Sequence, residues 1–137
     1  MSGGNNHKKL HEVPEIYCAL SVSYNSETSA NKFAGEVSSI ARGTPKIFSP
    51  KLGSSWIVEV AVVENERFWV LNEALAKLFA QIQTEKAQIN SLIKKYGGDV
   101  TIDIAVYESQ TYPAIFLSQE IVSEICFFNA QIGIDLL

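Results

Sequence analysis

The sequence predicts an α+β domain in which helices pack on a mostly antiparallel sheet of about five strands. Alternating apolar and polar residues indicate the strands, and apolar residues three or four positions apart indicate the helices between them. The predicted order is β-α-β-α-α-β-β-α-β, and helices separated by strands over one sheet are typical of the α+β class. A chain of 137 residues is within the range of one domain, which we place at residues 15–137 after a flexible polar tail at 1–14.

The first predicted strand and helix follow each other directly. From Ile16 to Tyr24 apolar side chains occupy every second position, which predicts a half-buried strand. Ser26 is placed to cap a helix, and the apolar spacing after it predicts a helix over residues 27–42 that ends at Gly43.

A loop and a strongly apolar strand come next. Residues 43–55 contain two prolines and two glycines, which predicts a loop. Residues 56–63 are apolar on both faces except for Glu59, which is typical of a central strand. The polar residues 64–67 are predicted to form a connection.

Helical periodicity extends over residues 71–96. Because the polar stretch 83–86 interrupts the apolar stripe, we expect two consecutive helices, the second capped by Thr84. Gly97 and Gly98 end the segment.

The last third of the chain alternates shorter elements. Ser118 is placed as the N-cap of the helix in this region. The predicted elements are a strand at 99–107, a turn at 108–113, a short strand at 114–117, a helix after Ser118 and a final strand at 131–137.

Composition and charge limit the class of protein. Apolar residues make up 47% of the chain and charged residues 19%, which favours a compact domain over disorder. All 11 basic residues lie within residues 1–98 together with nine acidic ones, whereas residues 99–137 carry six acidic residues and no basic one. The net charge of −4 argues against nucleic-acid binding, which needs basic side chains against the phosphates. The first residues lack the apolar run of a signal peptide, which predicts a cytoplasmic protein.

The residues that most often carry catalysis are poorly placed for it. His7 and His11, the two histidines of the chain, lie in the predicted tail, so a Ser-His-Asp or Cys-His arrangement is not expected. Cys18 and Cys126 are flanked by apolar residues, which predicts two buried, reduced thiols and no zinc site. Neither a cofactor nor a metal is predicted. Carboxylates such as Asp103 remain as acid/base candidates, and a solvated surface is the simpler interpretation of them.

Aromatic residues suggest a protein-binding surface. Phe33, Trp56, Phe79 and Phe116 fit the predicted core, whereas Trp69 and Tyr112 are open between core packing and partner contact. If the end of the 99–107 strand meets the start of the helix after Ser118, acidic side chains would surround Tyr112. The predicted partner-binding residues are Asp103, Glu108, Tyr112, Glu120 and Glu124.

Several segments resemble a widespread bacterial family of domains of unknown function. The family combines a W-x-[LV] strand, a glycine-ended helix followed by a strand, an L-S-x-E motif before a short helix, and a closing acidic-apolar strand. The similar segments here are residues 16–24, which match the family's opening strand, and residues 56–58, 96–107, 116–122 and 129–136. The resemblance covers residues 15–137 and departs from the family pattern at residues 44–50. It implies an α+β fold without established catalytic residues, and some members resemble immunity proteins encoded beside bacterial toxins, as in contact-dependent growth inhibition.

Three functions follow as expectations, in order of preference. The first is an immunity protein that neutralises a cognate toxin, such as a basic nuclease, by stoichiometric binding without catalysis; its acidic C-terminal third would speed association. The second is a small-ligand-binding domain or a homodimeric scaffold that pairs through its final strand. The third is an enzyme that relies on carboxylates such as Asp103 or Glu66. No membrane or nucleic-acid partner is expected.

Overall fold

Helices cover one face of a mixed five-stranded sheet in this protein, for which the computed structural model describes residues 13–40, 46–48, 55–107 and 111–137. The elements are, in chain order, β1 (Glu15–Tyr24), α1 (Glu27–Ser38), β2 (Lys46–Phe48), β3 (Trp56–Arg67), α2 (Leu71–Ala80), α3 (Lys86–Lys95), β4 (Asp99–Val106), α4 (Gln119–Phe127) and β5 (Gln131–Leu136). The predicted tail at 1–14 lies outside the described residues except for its last two positions, and both histidines lie outside them.

The strand order β2-β3-β1-β4-β5 places β1 at the centre of the sheet. β1 pairs antiparallel with both β3 and β4, and β2 pairs antiparallel with β3. β5 pairs with β4 in parallel, so that α4 is the helix of a β-α-β crossover. The predicted α+β class is confirmed. The sheet is mixed and consists of four long strands with the three-residue strand β2 at one edge.

The core lies between the helices and one face of the sheet. The even-numbered side chains of β1, from Ile16 to Tyr24, are buried because they point towards the helices. Phe33 of α1 and Leu75 of α2 are fully buried against this face. The odd-numbered residues of β1 and β4 point to the opposite face, and none of them belongs to the hydrophobic core cluster.

Local sequence signals set the helix ends. The Ser26 Oγ accepts a hydrogen bond from the Ser29 N–H at 3.1 Å, and the Ser118 Oγ accepts one from the Ile121 N–H at 3.2 Å. Both predicted N-caps are thus confirmed. At the end of α3, Gly97 takes a φ of 70°, and the Gly98 N–H donates to the Ile93 carbonyl oxygen at 2.9 Å. A positive φ at this position favours glycine.

Polar residues extend β3 beyond its predicted end. The connection predicted at 64–67 is wrong, since Glu66 pairs with Ile16 and Arg67 pairs with Glu15. A bulge accommodates Asn65, whose φ is 52°. Asparagine tolerates this left-handed conformation, so that a residue typical of turns lies within a strand.

Other differences concern short segments. α1 ends at Ser38, before the predicted end, and β2 lies within the predicted loop. The break between α2 and α3 is confirmed, but Glu85 rather than Thr84 occupies the N-cap position. The strand predicted at 114–117 is wrong: Ala114 forms a single bridge with Val70. Ile115 and Phe116, which follow Ala114, are both exposed, so the segment lacks the alternation of a half-buried strand.

Substitution of Gly98 tests how tightly the turn between α3 and β4 packs against the core residues of β1. A Cβ built at this position would lie closer than 3.0 Å to Val22 Cγ1 and to ring atoms of Tyr24. We expect Gly98→Ala to lower the free energy of unfolding by about 1–3 kcal/mol, because the buried neighbours must shift. Urea denaturation measures this change.

The matched control is Gly35→Ala in the middle of α1, where a new Cβ meets nothing within 4 Å. Alanine has the higher helix propensity, so this variant should gain about 0.5–1 kcal/mol. Equal effects of the two substitutions would contradict the packing described at Gly98.

Candidate protein-binding surface

The predicted partner-binding residues separate onto two parts of the molecule. Tyr112 lies in the segment between β4 and α4, and Glu120 lies in the first turn of α4 beside it in the chain. Asp103 lies on β4, and its side chain is on the sheet face opposite the helices. Glu108 lies outside the described residues.

Four large side chains are exposed on two segments that adjoin through the Val70–Ala114 bridge, and we call this region the apolar end. Its members are Trp69, Tyr112, Ile115 and Phe116. Their exposed fractions are 53%, 63%, 60% and 58%. Large apolar residues exposed on adjoining segments favour a protein-binding site, whereas single exposed residues need no explanation.

Backbone hydrogen bonds hold the two segments of the apolar end together. The Ala114 N–H donates to the Trp69 carbonyl oxygen at 2.8 Å, and the Leu71 N–H donates to the Ala114 carbonyl oxygen at 3.0 Å. The Asn72 Oδ1 accepts a hydrogen bond from the Ser118 N–H at 2.8 Å, which joins the first turns of α2 and α4. The backbone that presents Tyr112 and its neighbours is therefore fixed to the helical layer.

Acidic side chains lie beside the apolar end. Glu73 in the first turn of α2 and Glu120 in the first turn of α4 are both exposed. Carboxylates at these positions also interact favourably with the helix N-termini. The apolar end thus has acidic groups on both helices that begin there.

Glu124 differs from Glu120 in its surroundings. Its carboxylate accepts a hydrogen bond from the Lys86 Nζ at 2.8 Å, and only 17% of its side chain is exposed. The same Nζ lies 4.9 Å from the centre of the Phe127 ring. Glu124 therefore joins α4 to α3 and is directed away from the apolar end.

The sheet face opposite the helices carries a polar group around Asp103. The Tyr17 hydroxyl donates to Glu59 Oε2 at 2.6 Å, and burial together with this bond raises the pKa of Tyr17. Burial also raises the pKa of Asp103, a hydrogen bond with Ser21 opposes that shift, and the charge of Asp135 adds to it. A shallow cavity of about 250 Å³ lies here, lined by Ser21, Ser23, Ser55, Ile57, Thr101 and Asp103.

The two cysteines have different environments. Cys18 is buried, and burial raises the pKa of its thiol to about 12. Cys126 is exposed on α4, so its predicted burial is wrong. Both thiols are free. Among the described residues, no group of three His, Cys, Asp or Glu side chains is placed to hold a metal ion.

Sequence reasoning missed part of the apolar end. Phe33 and Phe79 are in the core as predicted, and Trp56 packs against it, but the core position predicted for Phe116 is wrong. The apolar side chain of Ile115 fits a strand as well as an exposed segment, so the sequence does not mark it as a surface residue. Pro113 is the one sequence feature that argues against a strand here, because it precedes Ile115 and Phe116 and lacks the N–H that strand pairing needs.

Comparison with known proteins identifies a family for most of the chain. A family model described as "Domain of unknown function (DUF4279)" matches residues 38–137. No curated protein and no solved structure matches the chain. Within the part of the chain that the structure describes, no helix is long and apolar enough to cross a membrane.

The raised pKa of Asp103 predicts a pH-dependent effect of removing its charge. Ionising Asp103 costs more in the folded state than in the unfolded chain, so this residue destabilises the fold as the pH rises above about 4, its unfolded value. We expect the free energy of unfolding of Asp103→Asn, relative to that of wild type, to be higher at pH 7 than at pH 3. Urea denaturation at the two pH values measures this difference.

Ser21→Ala is the matched variant for this test. It removes the hydrogen bond that lowers the pKa of Asp103, so it should enlarge the loss of stability with rising pH. If the difference in the free energy of unfolding between Asp103→Asn and wild type were the same at both pH values, the destabilising effect assigned to the ionised Asp103 carboxylate would be incorrect.

Proposed function

We propose that this chain, which belongs to the DUF4279 family, acts by stoichiometric binding to another protein and not by catalysis. The observation that carries the proposal is the apolar end, where Trp69, Tyr112, Ile115 and Phe116 are each more than half exposed. Tryptophan and tyrosine are the residues most enriched at the energetic centres of protein interfaces.

The energetics of the apolar end favour a binding role. Burying a large apolar side chain completely contributes about 1.5–3 kcal/mol relative to exposure in water. Because the backbone at Trp69 and Ala114 is already hydrogen-bonded, binding there orders side chains without ordering a loop. Less conformational entropy is then lost on association.

For the partner we propose a cognate bacterial toxin, which this chain neutralises as an immunity protein. The resemblance of some family members to immunity proteins supports this partner class. Charge supports it as well: Glu73 and Glu120 beside the apolar end, and a net charge of −4, would attract a basic protein such as a nuclease. Docking at the apolar end would cover a functional surface of the toxin.

The apolar end can be tested with the protein encoded by the adjacent reading frame. We expect that protein to arrest growth when expressed alone, and co-expression with this chain to restore growth and give a 1:1 complex. Trp69→Ala and Tyr112→Ala should each weaken the complex at least about 30-fold, since hot-spot truncations cost 2 kcal/mol or more. Calorimetric titration and growth rescue measure the two effects.

Lys32→Ala on α1 is the control, because it is an exposed position far along the chain from both segments of the apolar end. Affinity and rescue should be unchanged in this variant. A harmless neighbouring protein would contradict the toxin assignment. Full affinity in Trp69→Ala and Tyr112→Ala would contradict the assignment of the surface.

Charge at Glu120 should affect the rate of association more than the lifetime of the complex. Glu120→Lys reverses an exposed charge beside the apolar end, and we expect it to slow association with a basic toxin at low salt. The difference from wild type should shrink at 0.5 M salt, where screening is strong. Stopped-flow mixing at the two salt concentrations measures it.

Glu27→Lys in the first turn of α1 is the matched control, because it makes the same change in total charge at another exposed helix start. If both variants slowed association equally, the steering would come from net charge and not from the acidic groups beside the apolar end.

A further inference from the structure

We propose that a second copy of this chain pairs with the free edge of β5, so that two sheets join antiparallel across a two-fold axis. This surface is separate from the proposed toxin-binding surface and does not depend on it. Its components are β5 and an exposed flank of α4, the helix that precedes β5 in the chain, and we call this surface the β5 edge.

The exposure of β5 is unusual for a strand with its sequence. Its register places Ile132, Ile134 and Leu136 opposite three residues of β4 that are all buried, Ile102, Ile104 and Val106. The three aliphatic side chains of β5 therefore lie on the helix-covered face, yet 39%, 43% and 60% of each remains exposed. The helical layer stops short of this edge and leaves an apolar strip.

One flank of α4, the helix that leads directly into β5, carries two further exposed residues. Val122 and Cys126 are one turn apart and both exposed. Helical geometry places them on the opposite flank from Glu124, whose carboxylate reaches Lys86 of α3. Val122 and Cys126 therefore lie on the flank of α4 directed away from α3. No charged residue of α4 lies on this flank, since Glu120 and Glu124 share the other one.

The edge itself favours a strand as its occupant. β5 is the last strand in the order of the sheet and pairs only with β4 among the described strands, so no described strand pairs with its outer backbone groups. Exposed edges are usually protected by lysine, proline or a bulge. β5 has no lysine or proline and only one charged residue, Asp135, and its pairing with β4 runs without a register shift.

Symmetry and charge favour a second copy over an unrelated partner. In an antiparallel pair about a two-fold axis, even-numbered residues of β5 meet even-numbered residues of its copy, so the aliphatic side chains of both strands share one face. With Ile134 at the axis, Asp135 lies opposite Gly133 of the copy, and no two carboxylates meet. The apolar end lacks this neutrality, because Glu73 and Glu120 would repel the same groups of a copy.

Solution mass tests the pairing on the complete chain. We expect sedimentation equilibrium between 1 and 100 µM to give about twice the monomer mass of 15.1 kDa. Ile134→Lys should raise the dimer dissociation constant at least 100-fold. Val122→Lys should also weaken the dimer, and this exposed helical position keeps the test valid if Ile134→Lys disturbs the sheet.

Ile115→Lys is the matched control, since it introduces the same charge at an exposed isoleucine of the apolar end, and it should remain dimeric. Hydrogen exchange should show protected β5 amides in wild type and faster exchange in Val122→Lys. A wild-type monomer over the whole range, assemblies larger than a dimer, or a dimer that survives both Ile134→Lys and Val122→Lys would overturn the proposal.

Discussion

The pairing of β1 with β3 on one side and β4 on the other is the constraint on which the rest of the structure depends. β1 lies at the centre of the sheet, and Ile16, Cys18, Leu20 and Val22 are fully buried on its helix-facing side. Shifting this strand by one residue would exchange the buried aliphatic face for Tyr17, Ala19, Ser21 and Ser23. The register therefore fixes which face receives the helices, and the positions of both proposed surfaces follow from it.

The parallel addition of β5 explains why apolar residues remain exposed. A parallel strand needs a crossover, so the chain leaves β4 at one end of the sheet, passes through residues 111–118 and returns through α4. Hydrogen bonds from this connection to Trp69, Leu71 and Asn72 hold it at the start of α2. The connection presents Tyr112 and Phe116 outward, and the returning strand lies beyond the end of the helical layer.

Local signals made much of the fold predictable. Ser26 and Ser118 cap helices because their side chains satisfy free N–H groups, and Gly97 ends α3 because its φ is positive. Predictions failed where tertiary contacts decide the outcome. The segment predicted as a strand at 114–117 forms only a single bridge, because it contacts the start of α2 instead of the sheet.

The candidate surface was only partly predictable for the same reason. Tyr112 and Glu120 do lie near one another in the chain at the apolar end, but Asp103 is on the other face of the sheet and Glu124 is paired with Lys86. Neither separation is visible in residue order alone, because a face depends on strand register and an ion pair depends on helix packing.

Hydroxyl-radical footprinting of the chain, alone and in complex with the protein encoded beside it, tests the central claim most directly. Trp69, Tyr112 and Phe116 are exposed side chains of high intrinsic reactivity, so each reports its own coverage. The proposed function predicts that their oxidation falls sharply in the complex, while Tyr17 on the opposite sheet face reacts as before. Unchanged oxidation of Trp69 and Tyr112 in a stable complex would contradict it.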